Sequence, residues 1–240
     1  MEYIPYIITA LGAAAAVLFI IVRIKRGGVL GVITKTLASL FFIAVAVVAT
    51  LTAKDSGEAY FGAFIIFGLV FGLVGDIVLD LKIVYPADND AWTYTGMSSF
   101  AVGHVMYLLA FLPLAVKLPN LWMIFVFPVL AGLLFDGAAV LGAPKMGLDY
   151  GKFKIPSLIY AFELTFLMSF AFALSIADNF VSKKFILLFV GALLFLISDL
   201  ILSQQYFSKD ASKLKNPVLV AANHVAYYAA QFLIALTVAV

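Results

Sequence analysis

The sequence predicts an all-α polytopic membrane protein of eight transmembrane helices, and three observations predict it. Of the 240 residues, 65% are hydrophobic and 12% charged, whereas soluble domains carry about 25% charged residues. Apolar runs of about 20 residues, each long enough to cross a bilayer, recur along the whole length. Turn-forming residues fall between those runs. No stretch of soluble-domain composition is left over, so 1–240 reads as a single transmembrane domain.

The first span, 3–24, follows acidic Glu2 and runs into the basic group Arg23, Lys25 and Arg26. A cleaved signal peptide carries its basic group first, so this run reads as a retained span. Gly27-Gly28 leads to the second span, 30–53, and Asp55-Ser56-Gly57 to the third, 61–81. Pro86 to Asp90 precedes the fourth, 98–116, and Pro119-Asn120 the fifth, 121–141. Gly142 to Pro144 leads to the sixth, 155–177, Asp178-Asn179 to the seventh, 184–206, and Asn216-Pro217 opens the eighth, 216–239. Hydrocarbon offers the backbone no partner, so each span satisfies its own amides as a helix.

Eight crossings put both termini on one side. The loops opposite them hold Arg23, Lys25, Arg26, Lys82, Lys145, Lys152, Lys154, Lys209, Lys213 and Lys215, against Lys54, Lys117, Lys183 and Lys184 on the terminal side. Basic loops stay in the cytoplasm, which places both termini outside, in a plasma (inner) membrane. The absence of cysteine excludes disulfides and thiolate chemistry, and a net charge of +2 does not suggest a nucleic-acid partner.

The chain carries an internal echo. Gly75-Asp76 near the end of span three is matched by Ser198-Asp199 in span seven. Gly103-His104 with Tyr107 in span four is matched by Asn223-His224 with Tyr227 in span eight. The aspartates are 123 residues apart and the histidines 120. This reads as a duplicated four-span unit, with halves of about 1–118 and 119–240, parallel because each holds an even number of spans.

The polar residues share a depth. Lys35, Asp76, His104, Asp136, Glu163, Asp199 and His224 all fall roughly 7–12 Å inside the cytoplasmic end of their spans at 1.5 Å per residue. Tyr107, Tyr160, Tyr227 and Tyr228 lie near them, with Gln231 a little deeper. A charge at a helix centre costs roughly 2.5–3.5 kcal/mol, so these groups are expected to face one another around a hydrated cavity. Lys35 and Asp136 also suit a snorkelling position near the headgroups. Gly68, Gly72 and Asp76 follow at i, i+4, i+8, a small-residue stripe that admits a neighbouring helix.

In these pieces the sequence resembles the YhhN family of membrane proteins, whose animal members include lysoplasmalogenase. The matching segments are Gly68 to Asp76, Phe100 to Tyr107, Gly191 to Asp199 and Tyr227 to Gln231, with Lys35-Thr36-Leu37 where the family usually reads Lys-Pro. Pro156 to Met168, containing Tyr160 and Glu163, fits the sixth span. The resemblance implies eight spans and hydrolysis of the vinyl ether bond of lysoplasmalogens, with Asp76 and Asp199 as the catalytic pair. The substrate would be a lysophospholipid drawn from the bilayer, and the products a fatty aldehyde and a glycerophospho-ethanolamine or -choline.

The chemistry fits that residue set. A vinyl ether yields to acid, through protonation of its β-carbon and an oxocarbenium ion. Two carboxyls, one protonated and one ionised, are the natural equipment. Lys35 is expected to bind the phosphate, and His104 and Glu163 to position the aspartates or water. Tyr107, Tyr160, His224, Tyr227, Tyr228 and Gln231 are expected to support the site or bond the headgroup. No cofactor is expected, and a homodimer is left open. Two rivals stand beside this reading: a metal-dependent lipid hydrolase using Asp76, His104, Asp199 and His224, and a proton- or ion-coupled transporter.

Overall fold

The computed structural model describes residues 3–53 and 56–240. Glu2 and the Lys54-Asp55 part of the second break lie outside them. Eight long helices follow in order: α1 Ile4–Lys25, α2 Gly28–Thr52, α3 Ser56–Val84, α4 Asn89–Ala115, α5 Leu121–Gly142, α6 Lys154–Ala177, α7 Lys183–Tyr206 and α8 Pro217–Leu236. All eight are long and apolar enough to cross a membrane, and no strand occurs among the described residues.

The expected breaks end the helices for local reasons. After α1, Gly27 takes φ +62°, a left-handed turn that suits glycine. Arg23 and Lys25 occupy the last turn of α1, where they complement the helix dipole. Asn120 before α5 is left-handed as well. Helices α3 and α4 are longer than the apolar runs predict, and α4 begins at Asn89 rather than near 98. Their polar ends are held by each other: Lys82 Nζ donates to Thr93 Oγ1 at 3.2 Å, and Trp92 Nε1 to the Tyr85 carbonyl at 3.2 Å.

The chain forms two compact units, 1–113 with 231–240, and 114–230, so α8 is divided between them. In the first unit α1 packs on α2 and α2 on α3. Helix α3 turns a stripe of Gly68, Leu69, Gly72, Asp76, Leu79 and Asp80 inward. Gly68 and Gly103 let α3 and α4 meet backbone to backbone. A Cβ on Gly103 would lie 2.9 Å from the Gly68 carbonyl oxygen, which no rotamer change relieves. Gly103→Ala is therefore expected to lower stability by about 1–3 kcal/mol, read as a lower unfolding temperature in mild detergent. Gly137→Ala in α5, where a Cβ meets nothing within 4 Å, is the control that leaves that temperature unchanged or slightly raised.

In the second unit α6 packs against α5 and α7. The loops at one end of this unit are tied together. Leu148 and Ser208 form an isolated antiparallel bridge. Asp149 N donates to the Phe207 carbonyl at 2.8 Å, and the Tyr150 and Phe207 rings lie 4.7 Å apart. Asp210 caps the short 3₁₀ turn Ala211–Lys215, and the hydroxyl and amide of Ser212 hold its carboxyl below the ordinary range.

Candidate functional site

In the first unit the polar layer is an ion chain. Asp76 and Asp80 stand one turn apart on the same face of α3, and Lys35 on α2 reaches both. Lys35 Nζ is 3.2 Å from Asp76 Oδ1 and 3.2 Å from Asp80 Oδ1. Arg23, at the end of α1, places Nη1 3.0 Å from Asp80 Oδ2. Ser39, one turn beyond Lys35, donates its hydroxyl to Asp76 Oδ2 at 2.6 Å. Both aspartates are 1% exposed and Lys35 6%. Charges alternate along Arg23, Asp80, Lys35 and Asp76 and sum to zero. Each buried carboxylate thus has the cation and hydrogen bonds that make burial tolerable.

Further residues of that unit gather by Asp76. Tyr107 donates to Gln231 Oε1 at 2.8 Å, and Asp76 acts electrostatically on the Tyr107 phenol. The His104 ring lies 6.3 Å from that of Tyr107. His104, Tyr107 and Gln231 are each 1% exposed. The small side of Gly68 makes room for the Tyr107 ring.

The second unit builds its own polar group around Asp199. Tyr160 on α6 donates its phenol hydroxyl to Asp199 Oδ2 at 2.5 Å. Glu163 follows Tyr160 at i+3 on the same helix face, and both carboxyls act electrostatically on the phenol. Tyr160, Glu163 and Asp199 are half-buried. Beside Asp199, Asn223 Nδ2 donates to the Ser198 carbonyl at 2.8 Å and to Ser198 Oγ at 2.9 Å, fastening α8 to α7. His224 Nδ1 meets the Val220 carbonyl at 2.7 Å; a carbonyl only accepts, so that nitrogen carries the proton. Tyr227 packs edge-on against Phe195 and Tyr228, with centroids 5.5 and 5.2 Å away. Half-buried Asp136 keeps Oδ1 without a hydrogen-bond partner.

Among the described residues no three His, Cys, Asp or Glu side chains come together as a metal-ligand set. The first unit makes cation–carboxylate contacts and the second a phenol–carboxylate contact. Such contacts can hold carboxyls in defined protonation states, the requirement of acid–base chemistry. A family model described as the YhhN family matches residues 30–238.

The chain belongs to the YhhN family. No curated protein matches it, and no solved structure does. In this YhhN protein Lys35 on α2 and Asp76 on α3 come within 3.2 Å of each other. Tyr160 with Asp199, and Tyr107 with Gln231, also come together from distant parts of the sequence.

Arg23, Ser39 and Asp80 join this group although the sequence does not single them out as site residues. Arg23, which the basic-loop pattern reads as a topology-setting charge, reaches back to Asp80. Ser39 and Asp80 each sit four residues from a selected residue, Lys35 and Asp76, and that i+4 spacing was the available signal. The YhhN match begins after Arg23 and includes Ser39 and Asp80. Lys35, expected to receive a phosphate, directs its ammonium to two carboxylates.

Proposed function

We propose that this YhhN protein hydrolyses the vinyl ether bond of lysoplasmalogens, with Asp76 and Asp199 as its acid–base groups. The observation that carries the reading is the pair of different environments the aspartates occupy. Asp76 meets an ammonium and a hydroxyl in a buried setting. Asp199 meets the phenol of Tyr160 in a half-buried setting.

In this reading Asp199 is the acid and Asp76 the carboxylate. Asp199 delivers a proton to the β-carbon of the vinyl ether, and the electron pair of the double bond forms the new C–H bond. The resulting oxocarbenium ion is stabilised by the negative charge of Asp76. Water adds to the carbon next to the oxygen and gives up a proton, regenerating the acid. The hemiacetal hydroxyl then gives up its proton as the C–O bond to glycerol breaks and the departing oxygen takes one up, releasing a fatty aldehyde and the glycerophospho-alcohol. Glycosidases handle a related cation with the same division of labour between two carboxyls.

Lys35 then acts by holding the Asp76 carboxylate, and the substrate phosphate falls to exposed Lys25 and Arg26 at the end of α1. Glu163 and His104 position water or the aspartates, and the buried tyrosines with Gln231 and His224 support the headgroup. Basic-loop bias favours both termini outside and these groups toward the cytoplasmic leaflet of a plasma membrane.

The test is aldehyde release by purified protein in detergent, across lysoplasmalogens with ethanolamine and choline headgroups and with matched ester lysolipids. Aldehyde is expected from the vinyl ethers alone, at the same rate with and without a chelator. Loss of turnover on chelation would transfer the reaction to a metal. Absence of aldehyde together with substrate counterflow in proteoliposomes would make the chain a transporter.

A further inference from the structure

The loops at one end of the second unit, 143–153 and 207–216, join the ends of helices long and apolar enough to cross a membrane. They therefore stand at the depth of the lipid headgroups. With the first residue of α6 they carry Lys145, Lys152, Lys154, Lys209, Lys213 and Lys215, against Asp149 and Asp210. Folding brings these lysine-bearing segments together. Lys209 N donates to the Gly147 carbonyl at 2.9 Å, which sets Lys209 across from the turn that holds Lys145. Gln204, in the last turn of α7, accepts from Lys213 Nζ at 2.9 Å and directs Nε2 to Met146 Sδ at 3.9 Å. The Ala211–Lys215 turn thus meets the same loop.

Both carboxylates of this surface are taken up by their own loops. Asp149 Oδ1 accepts from Gly151 N at 3.0 Å. Asp210 Oδ1 accepts from Ser212 N at 3.0 Å and from Ser212 Oγ at 2.7 Å. Exposed Lys145, Lys154, Lys209 and Lys215 form no salt bridge with the described residues. Like charges held together by folded backbone repel, and an anion lying across them relieves that repulsion.

The same segments expose apolar side chains, Met146, Ile155, Leu214 and Val218. The rings of Tyr150 and Phe153 pack on Phe207, with centroids 4.7 and 6.0 Å away. Cations interleaved with exposed apolar groups suit a surface that has charge in its headgroups and hydrocarbon behind them. A soluble anion would use the ammoniums and leave the apolar side chains in water. We infer that the joined loops seat an anionic phospholipid, its phosphodiester across Lys145 and Lys209 and its acyl chains against the exposed apolar side chains. The seat belongs to the second unit, whereas Lys25 and Arg26 belong to the first. The inference stands whether or not the chain hydrolyses lysoplasmalogens.

The experiment counts bound lipid. Purified protein in non-ionic detergent is titrated with dioleoyl phosphatidylglycerol or dioleoyl phosphatidylcholine, and native mass spectrometry measures the lipid-bound fraction. The first phosphatidylglycerol is expected to bind about 10–30-fold more tightly than phosphatidylcholine. Lys145→Gln with Lys209→Gln is expected to weaken phosphatidylglycerol binding by about 10–30-fold, about fivefold for each lysine lost, and to leave phosphatidylcholine binding unchanged. Lys145→Arg with Lys209→Arg keeps the charge and binds as the native protein does. Lys117→Gln with Lys183→Gln removes the same charge from positions before α5 and at the start of α7, and leaves binding unchanged. Equal affinity for the two lipids, equal loss in the two glutamine variants, or displacement of phosphatidylglycerol by excess inorganic phosphate overturns the proposal.

Discussion

Asparagine at Asp76 and at Asp199 is expected to lower aldehyde release by about 10²–10⁴-fold at each position, the range for removal of an acid–base group. The carboxamide keeps the shape of the side chain and still accepts from Ser39 at one site and from Tyr160 at the other. At Asp199 it cannot deliver a proton to carbon. At Asp76 it cannot balance an oxocarbenium ion. Lys35 retains Asp80 at 3.2 Å in the Asp76 variant, so the ion chain is shortened rather than destroyed. Asp80→Asn is the informative comparison, because it removes the partner of Arg23 and a second contact of Lys35 while leaving Asp76 its ammonium. That variant is expected to lose stability and retain most of its turnover per folded molecule. Equal loss of rate at all three positions would mean that integrity of the ion chain governs activity. Near-native rates at Asp76 and Asp199 would remove them from the chemistry.

What the sequence made legible follows from what a bilayer demands. Hydrocarbon forces each spanning segment to satisfy its backbone as a helix, so composition and apolar run length disclose the class and the count of helices without tertiary information. The same rule under-reads α3 and α4. Lys82, Asn89 and Thr93 depress local hydropathy, yet Lys82 and Thr93 bond to each other and carry both helices past the apolar run. Lys35 and Asp76 were legible because depth is a coordinate the sequence supplies once spans are placed. Arg23 was not, because a basic residue at a span end serves topology equally well with or without a buried partner. Asp80 is hidden by its own position, since an acid near a helix end reads as interfacial. Yet it lies on the inward face of α3, met there by Lys35 from α2 and Arg23 from α1.

Lys35→Met is expected to destabilise the protein by about 3–5 kcal/mol, the loss typical of breaking a buried ion pair from one side. The ammonium is the central link of the chain, 3.2 Å from each of two carboxylates that are both 1% exposed. Methionine fills similar space, so the loss measures charge rather than a cavity. Its removal leaves Asp76 and Asp80 one turn apart on α3 with Arg23 as the remaining cation of the chain, a net charge of −1 where the native group sums to zero. Adding Asp80→Asn returns the group to neutrality, Arg23 against Asp76. The double variant is expected to recover part of the loss, so the two substitutions couple by about 0.5–3 kcal/mol rather than add. Unfolding in mild detergent, followed by circular dichroism for native, single and double variants, supplies the comparison. A Lys35→Met protein as stable as the native chain would show that the carboxylates need no ammonium. The ion chain would then not account for the burial of Asp76 and Asp80.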